Sequence, residues 1–190
     1  MKTDIILCGV GGQGVLSLAA IIAEGAMKAN LFVRQSEVHG MSQRGGGVQA
    51  HLRLSDEEIY SDLIPKGCAD IILSMEILEA LRYTEMLHPN GVVISATTTV
   101  KNIPDYPEES YLQEKFALLN KQITVNTKEL AQKCGNMKCE NMVLVGAALS
   151  FLPFKKATLE ECIRLRFEKK AASLVDANLT ALELGISAGN

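Results

Sequence analysis

The sequence predicts an α/β protein: a Rossmann-like three-layer domain with a mostly parallel sheet and a hairpin insertion. A short apolar run at residues 4–8 is followed by a glycine turn at 9–14 and a helix-forming segment at 15–27. A strand–helix–strand rhythm returns at 69–95, which is typical of parallel sheets with right-handed crossovers. Residues 48–54 alternate between apolar and polar, which indicates a strand with one polar face and so a hairpin.

Composition limits the classes of function. The chain has 190 residues, 47% hydrophobic and 22% charged, so we expect a single domain over residues 1–190. A net charge of −3, no tryptophan and 5% aromatic residues argue against nucleic-acid and membrane partners. The five cysteines lack metal-site spacing, so we expect reduced thiols in a cytoplasmic, soluble protein that binds no metal.

The glycine turn fits the pattern G-x-G-x-x-G. Gly9 suits a tight turn, Gly11 lets a phosphate approach the backbone, and Gly14 lets the helix lie close to the strand. The N–H groups and dipole at the helix start favour an anion. The predicted cofactor-binding residues here are Gly9, Gly11, Gly12, Gln13 and Gly14. The alternative is that these glycines only make a tight strand-to-helix turn.

Arg34 follows the predicted second strand, residues 31–33. An NAD site carries an acidic residue near this place, whereas a basic residue suits a phosphate. Arg34 is therefore also predicted to bind the cofactor. It also leaves open a self-sufficient NADP-dependent reductase, with Arg34 on the 2′-phosphate.

A polar, glycine-rich loop is predicted at residues 36–47. A loop this rich in side-chain donors is a candidate binding surface, although a plain solvated loop is the alternative. His39 is also a candidate for a lone general base. The predicted loop residues are Glu37, His39, Gly40, Ser42, Gln43, Arg44, Gly45 and Gly46.

The remaining elements follow from periodicity and caps. Residues 59–64 are expected to pair with 48–54 as a hairpin, unless Ser55 and Glu58 form the capping box of a short helix. His51, on the polar face of that hairpin, is expected at the surface. The other expected elements are strands at 69–74, 92–95 and 123–125, and helices at 76–87, 108–120, 127–134 with Thr127 as N-cap, 141–151, 159–169 after a Thr158–Glu161 capping box, and 175–184 closed by Gly185.

Motifs for catalysis are missing from the sequence. There is no G-x-S-x-G nucleophile elbow and no G-K-[ST] phosphate loop, and the three histidines form no catalytic set. We therefore predict no catalytic residue, and a domain that completes the active site of another protein.

Residues 9–14 and 37–46 together closely resemble the gamma domain of the 2-oxoacid:ferredoxin oxidoreductases, with the indolepyruvate branch nearest. The resemblance covers almost the whole chain, including the 141–148 helix and the 178–185 stretch. It implies a subunit, inactive alone, of a complex that oxidatively decarboxylates arylpyruvates with coenzyme A (CoA). The products would be an aryl-acetyl-CoA, CO2 and reduced ferredoxin.

The resemblance also implies where the cofactors lie. Thiamine diphosphate and iron–sulfur clusters would belong to a large partner subunit, and this chain would hold at most the CoA diphosphate, at the glycine turn. The 37–46 loop would dock near the thiamine site of the partner, with Gln43 and Arg44 as polar contacts. A purely structural assembly subunit, with an empty glycine turn, is the further alternative.

Overall fold

The computed structural model describes residues 1–39 and 45–189, and the side chain of His39 is not described. The strands are β1 (Lys2–Val10), β2 (Phe32–His39), β3 (Gly47–Ser55), β4 (Ala69–Ser74), β5 (Leu87–Ala96) and β6 (Gln122–Val125). The helices are α1 (Val15–Lys28), α2 (Ile77–Arg82), α3 (Glu109–Ala117), α4 (Thr127–Lys133), α5 (Glu140–Ala148), α6 (Lys156–Phe167) and α7 (Ala172–Gly189). The predicted α/β class is confirmed.

The strands form one mixed sheet in the order β2-β3-β1-β4-β5-β6. The pairs β1/β4, β4/β5 and β5/β6 are parallel, whereas β3 is antiparallel to both β1 and β2. The hairpin therefore joins β2 and β3. The predicted pairing of 48–54 with 59–64 was wrong, because residues 59–64 form no strand and β1 occupies that edge of β3.

One face of β3 is covered by the segment 56–64, so the expectation of a surface His51 was wrong. His51 is 6% exposed, and its Nδ1 accepts the N–H of Ile64 at 2.9 Å. Arg53 on the same face binds the buried Asp4 carboxylate through Nε (2.8 Å) and Nη2 (3.1 Å). Its Nη1 donates to the carbonyls of Ser61 and Leu63, each at 3.0 Å. These polar side chains hold the covering segment in place.

Stability should fall as His51 gains a proton. Burial is the main cause that lowers the pKa of His51 below its ordinary 6.5, and Arg53 adds to it against the opposing charges of Asp62 and Asp4. The pKa of His51 is lower in the folded than in the unfolded protein. The stability that its neutral ring contributes is therefore complete above the unfolded pKa, and it is lost as the pH falls below about 6.5. We expect the unfolding free energy, measured by urea titration, to decrease from about pH 7 to pH 5. A His51→Gln variant should lose this part of the slope, and equal slopes in both proteins would contradict the assignment.

Helices cover both faces of the sheet. The larger core lies between the sheet and α1, α5, α6 and α7, and the smaller one lies under α2 and α3. Against the larger core, α5 packs closely on α7: a Cβ built at Gly185 would lie 2.0 Å from the carbonyl oxygen of Val143. Gly185 is therefore a close-contact residue inside α7, and its prediction as a helix terminus was wrong. Cys8, in β1, is fully buried.

Several predicted element ends differ from the structure. Asn126, not Thr127, caps α4, with its side chain accepting the Glu129 N–H at 3.2 Å. The helix α6 begins at Lys156, ahead of the predicted Thr158–Glu161 box. The predicted helix 76–87 ends at Arg82, and β5 already begins at Leu87. No helix in residues 1–39 and 45–189 is long and apolar enough to cross a membrane.

Candidate functional site: a glycine turn at the sheet switch point

The glycine turn joins β1 to α1 at the carboxyl edge of the sheet. Chain connections leave β1 and β4 in opposite directions, so the crevice between these strands is the switch point where α/β folds bind ligands. Gln13 bridges it: its Oε1 accepts the Val10 N–H at 2.7 Å, and its Nε2 donates to the Met75 carbonyl at 3.1 Å. The Gln13 side chain therefore ties the tips of β1 and β4 together.

The glycines of the 9–14 turn have structural roles that differ from those the motif predicts. Gly12 (φ 102°) and Gly14 (φ 86°) adopt left-handed backbone conformations, which favour glycine. Gly9 lies inside β1, where an added Cβ would approach atoms of Gln13, Val15 and Met75 at 3.0 Å. The tight turn thus depends on Gly12 and Gly14, and Gly9 provides close packing.

The backbone of Gly11 anchors the second motif. Its N–H donates to the Gly46 carbonyl at 2.8 Å, and its carbonyl accepts the Gly45 N–H at 3.4 Å. The Asn102 amide donates to the Gly45 carbonyl at 2.8 Å. The structure therefore brings the two predicted motifs together. Because the Gly11 N–H is already used, it is not the donor that a phosphate would meet.

Part of the predicted loop is strand. Glu37 and His39 lie in β2, and Glu37 is exposed and accepts from the Gln35 side chain at 2.7 Å. The loop is therefore shorter than predicted. The predicted residues Gly40, Ser42, Gln43 and Arg44 lie outside the described residues.

The start of α1 has features that favour an anion. Gly14 is its N-cap, makes no side-chain capping hydrogen bond, and no acidic residue follows in the first turn. The first-turn N–H groups of a helix have no partner within the helix, and the helix dipole favours negative charge there. Two cavities, of about 440 Å³ and 460 Å³, lie against this turn and share Ser17.

Two lysines face the same place from the other side of the crevice. Lys128, in the first turn of α4, and Lys138 both line the 460 Å³ cavity together with Asn141. The same cavity contains Glu140, whose Oε2 accepts the Thr127 hydroxyl at 3.0 Å. Cations beside an uncapped helix start suit a phosphate or diphosphate.

Two buried carboxylates support the loops around the crevice. Glu76, the N-cap of α2, accepts the Glu79 N–H at 2.8 Å, the Val100 N–H at 3.4 Å and the Tyr106 hydroxyl. Glu79 is 3% exposed, with Arg82 Nε at 3.4 Å, and burial raises the pKa of Glu79. Their contacts are with the protein itself, which indicates support for the loops.

Nucleophilic and metal chemistry have little support here. Burial raises the pKa of Cys139 to about 11 and that of Cys8 still further, so both thiols are protonated at neutral pH. In the part of the chain that the structure describes, no three His, Cys, Asp or Glu side chains are grouped to hold a metal ion. The arrangement can bind an anion and present loops.

Comparison with known proteins identifies the family. The profile of pyruvate ferredoxin/flavodoxin oxidoreductases matches residues 4–188. The chain belongs to this oxidoreductase family.

Similar proteins include subunits of nearly the same length and one part of a longer chain. The indolepyruvate oxidoreductase subunit IorB of Archaeoglobus fulgidus is 40% identical, over 97% of this chain and 94% of that protein. The pyruvate oxidoreductase subunit PORC of Thermotoga maritima has the same fold, with a TM-score of 0.77, 20% identity and coverage of 98% of this chain and 96% of that one. The 2-oxoglutarate:ferredoxin oxidoreductase of Magnetococcus marinus, solved with 2-oxoglutarate, CoA and succinyl-CoA, matches 99% of this chain and 31% of its own, with a TM-score of 0.80 and 20% identity.

In this member of the oxidoreductase family, Arg34 lies far from the glycine turn. It stands opposite Arg53, which stands opposite Asp4, five residues before Gly9. That places it about 17 Å back along the strand and two strands, about 10 Å, to the side. Its Nε donates to the Ile59 carbonyl at 3.1 Å. The reductase alternative depended on Arg34 and therefore loses its phosphate-binding residue.

The sequence reading missed Lys128, Lys138 and Asn141. These residues are more than 100 positions from the glycine turn, and only the packing of α5 on α1 and of α4 on α5 brings them there. One local signal was available: a lysine in the first turn of a helix, as at position 128, opposes the helix dipole. Such a placement suggests a function for the charge.

Proposed function

We propose that this chain is the subunit without thiamine diphosphate or iron–sulfur clusters of a heteromeric oxidoreductase that converts arylpyruvates, such as indolepyruvate, with CoA to aryl-acetyl-CoA, CO2 and reduced ferredoxin. The observation that carries the proposal is the uncapped start of α1, faced by Lys128 and Lys138. It is a site for an anionic cosubstrate in a chain with no assembled catalytic group among its described residues. The names of the IorB relatives support the arylpyruvate branch.

CoA fits this site by its chemistry. The first-turn N–H groups of α1 and the two lysines provide donors and positive charge for the diphosphate. The CoA-bound relative from Magnetococcus marinus, which shares the fold, supports the same ligand. Gly12, Gly14 and Ser17 would line the diphosphate site.

The large partner subunit would supply thiamine diphosphate and the clusters, and ferredoxin would accept the electrons. The 37–46 loop would dock against that partner. Gly45 and Gly46, at its described end, are held by Gly11 and Asn102 next to the glycine turn, which supports this role.

Reconstitution tests the proposal. The chain and its thiamine-dependent partner, purified separately and then mixed, should form a complex that reduces ferredoxin only with both CoA and a 2-oxoacid. Among indolepyruvate, phenylpyruvate and pyruvate, an arylpyruvate should give the highest kcat/KM. Reduction of ferredoxin by the chain alone, or failure to associate with any thiamine-dependent subunit, would overturn the proposal.

The loop has its own test. An Arg44→Ala variant should lower the turnover of the reconstituted complex about tenfold, since a charge-assisted contact with the partner is removed. Arg164→Ala, an exposed change on α6, is the matched control and should leave turnover unchanged. Unchanged assembly together with unchanged turnover in Arg44→Ala would refute the role of the loop.

A further inference from the structure

The two edges of the sheet differ in length. The strand β6, at one edge, has four residues. The strand β2, at the other edge, has eight, and in the described part of the chain it pairs only with β3. A short edge strand offers few groups for pairing, whereas a long one presents a row of backbone N–H and C=O groups. The outer edge of β2 can therefore accept a further strand.

The strand β2 lacks several features that keep edge strands from pairing. Its sequence, FVRQSEVH, contains no lysine or proline, and its pairing with β3 keeps one register from end to end, without a bulge. Near its two ends, Phe32 is 51% exposed and Val38 is 56% exposed. Both side chains lie on the same face, because residues six positions apart in a strand share a face. An open edge flanked by apolar side chains favours the addition of a strand.

The two charged side chains of β2 do not oppose such pairing. Arg34 donates through Nε to the Ile59 carbonyl at 3.1 Å, and Glu37 accepts from the Gln35 side chain at 2.7 Å, so each has a partner within the chain. Arg34 and Glu37 also point to opposite faces of the sheet. One positive and one negative charge leave the strand nearly neutral, so two copies of it would not repel each other strongly.

The strand is complementary to itself about Gln35. An antiparallel copy centred on this residue places each Phe32 opposite the Val38 of the other copy, three positions on either side of the centre. In the same register Arg34 and Glu37 each stand opposite an uncharged residue. Opposed residues of an antiparallel pair lie on one face, about 5 Å apart at Cβ, and interact directly. This register therefore joins apolar ends to apolar ends.

We infer that β2 pairs antiparallel with β2 of a second copy of this chain, centred on Gln35, so that two six-stranded sheets join into one. Self-complementarity favours a second copy over an unrelated strand, because a two-fold axis requires the same surface to match itself. Tyr60, which is 90% exposed, extends the contact surface: it follows Ile59, the residue that Arg34 binds on the same face as Phe32. The inference does not depend on CoA binding.

Sedimentation of the complete chain tests the inference. The unmodified chain should form a dimer whose fraction rises with concentration. Phe32→Lys and Val38→Glu should each raise the dissociation constant of the dimer about tenfold, because each change acts twice across the two-fold axis. Leu118→Lys, a similar change at an exposed position after α3, is the control and should leave the constant unchanged. Thermal unfolding checks that all three variants remain folded.

A mixture of the two weakened variants tests the register. In a mixed pair, the introduced lysine of one copy stands opposite the introduced glutamate of the other, and the second end keeps its Phe32–Val38 contact. Opposite charges at facing positions attract, so mixing should restore dimers with an affinity close to that of the unmodified chain. Weak association of the mixture, no better than that of either variant alone, would overturn the register centred on Gln35.

Two further results would overturn the inference as a whole. One is a chain that stays monomeric at all concentrations. If amide hydrogen exchange in residues 32–38 then slows only when the thiamine-dependent subunit is added, that subunit occupies the edge. The other is a dimer that neither substitution in β2 weakens, which would place the contact elsewhere. Both results concern association between copies of this chain, so they leave the proposed function standing.

Discussion

An alanine at position 185 should lower the unfolding free energy by about 3 kcal/mol. The added Cβ would lie 2.0 Å from the carbonyl oxygen of Val143 and 2.8 Å from its carbonyl carbon. Both are backbone atoms of α5, which no rotamer change can move. The helices α5 and α7 would have to separate, and the close contact along Gly146, Gly185 and Gly189 would open. Urea unfolding of the complete chain measures the loss.

Gly25→Ala is the matched control. Gly25 also lies inside a helix, α1, so both substitutions gain the same helix propensity, about 1 kcal/mol. A Cβ at Gly25 would meet the Phe154 ring at 2.9 Å, and a side chain can shift where a carbonyl cannot. We expect Gly25→Ala to be close to neutral. A loss in Gly185→Ala no larger than in Gly25→Ala would show that α5 and α7 can repack freely.

Gly185 also illustrates where sequence reasoning failed. A glycine at the end of an apolar helical stretch is typical of a helix terminus, and this reading is local. The true reason for the glycine is the backbone of Val143, 42 residues away in sequence, which no local pattern contains. The same applies to His51 and Arg53. Their alternation correctly predicted a strand, but the covering segment 56–64 is held by hydrogen bonds to residues 10 and 13 positions away, which the alternation does not encode.

The candidate site also has one part that the sequence predicted and one part that it did not. The strand, the glycine turn and α1 follow from one continuous stretch, so the sequence predicted them. Their placement beside Lys128, Lys138 and Asn141 depends on how distant helices pack, which the sequence alone did not reveal. The offset of Arg34 had a similar cause: β3 inserts between β1 and β2, so Arg34, which lies inside β2, is one strand further from β1 than in a regular dinucleotide fold.

A carboxylate at position 17 should separate the stability of α1 from its ligand binding. Ser17 is exposed, lies in the first turn of α1 and lines both cavities at the glycine turn. An acid in this turn interacts favourably with the helix dipole, so Ser17→Glu should raise the unfolding free energy by about 0.5 kcal/mol. The same charge should repel a bound diphosphate and lower the affinity of the complex for CoA about tenfold or more.

Ser17→Gln is the control for size, because it has the same shape without the charge. If the N–H groups and dipole of α1 hold the diphosphate, the Glu variant should bind CoA much more weakly than the Gln variant. Added salt should reduce this difference in affinity. Calorimetry of the complex with CoA measures the affinities, and thermal unfolding of the chain measures stability. A more stable protein that binds its ligand less well cannot result from general misfolding, so the opposite signs locate the effect at the helix start. Equal CoA affinity in the two variants at low salt would mean that the diphosphate lies elsewhere.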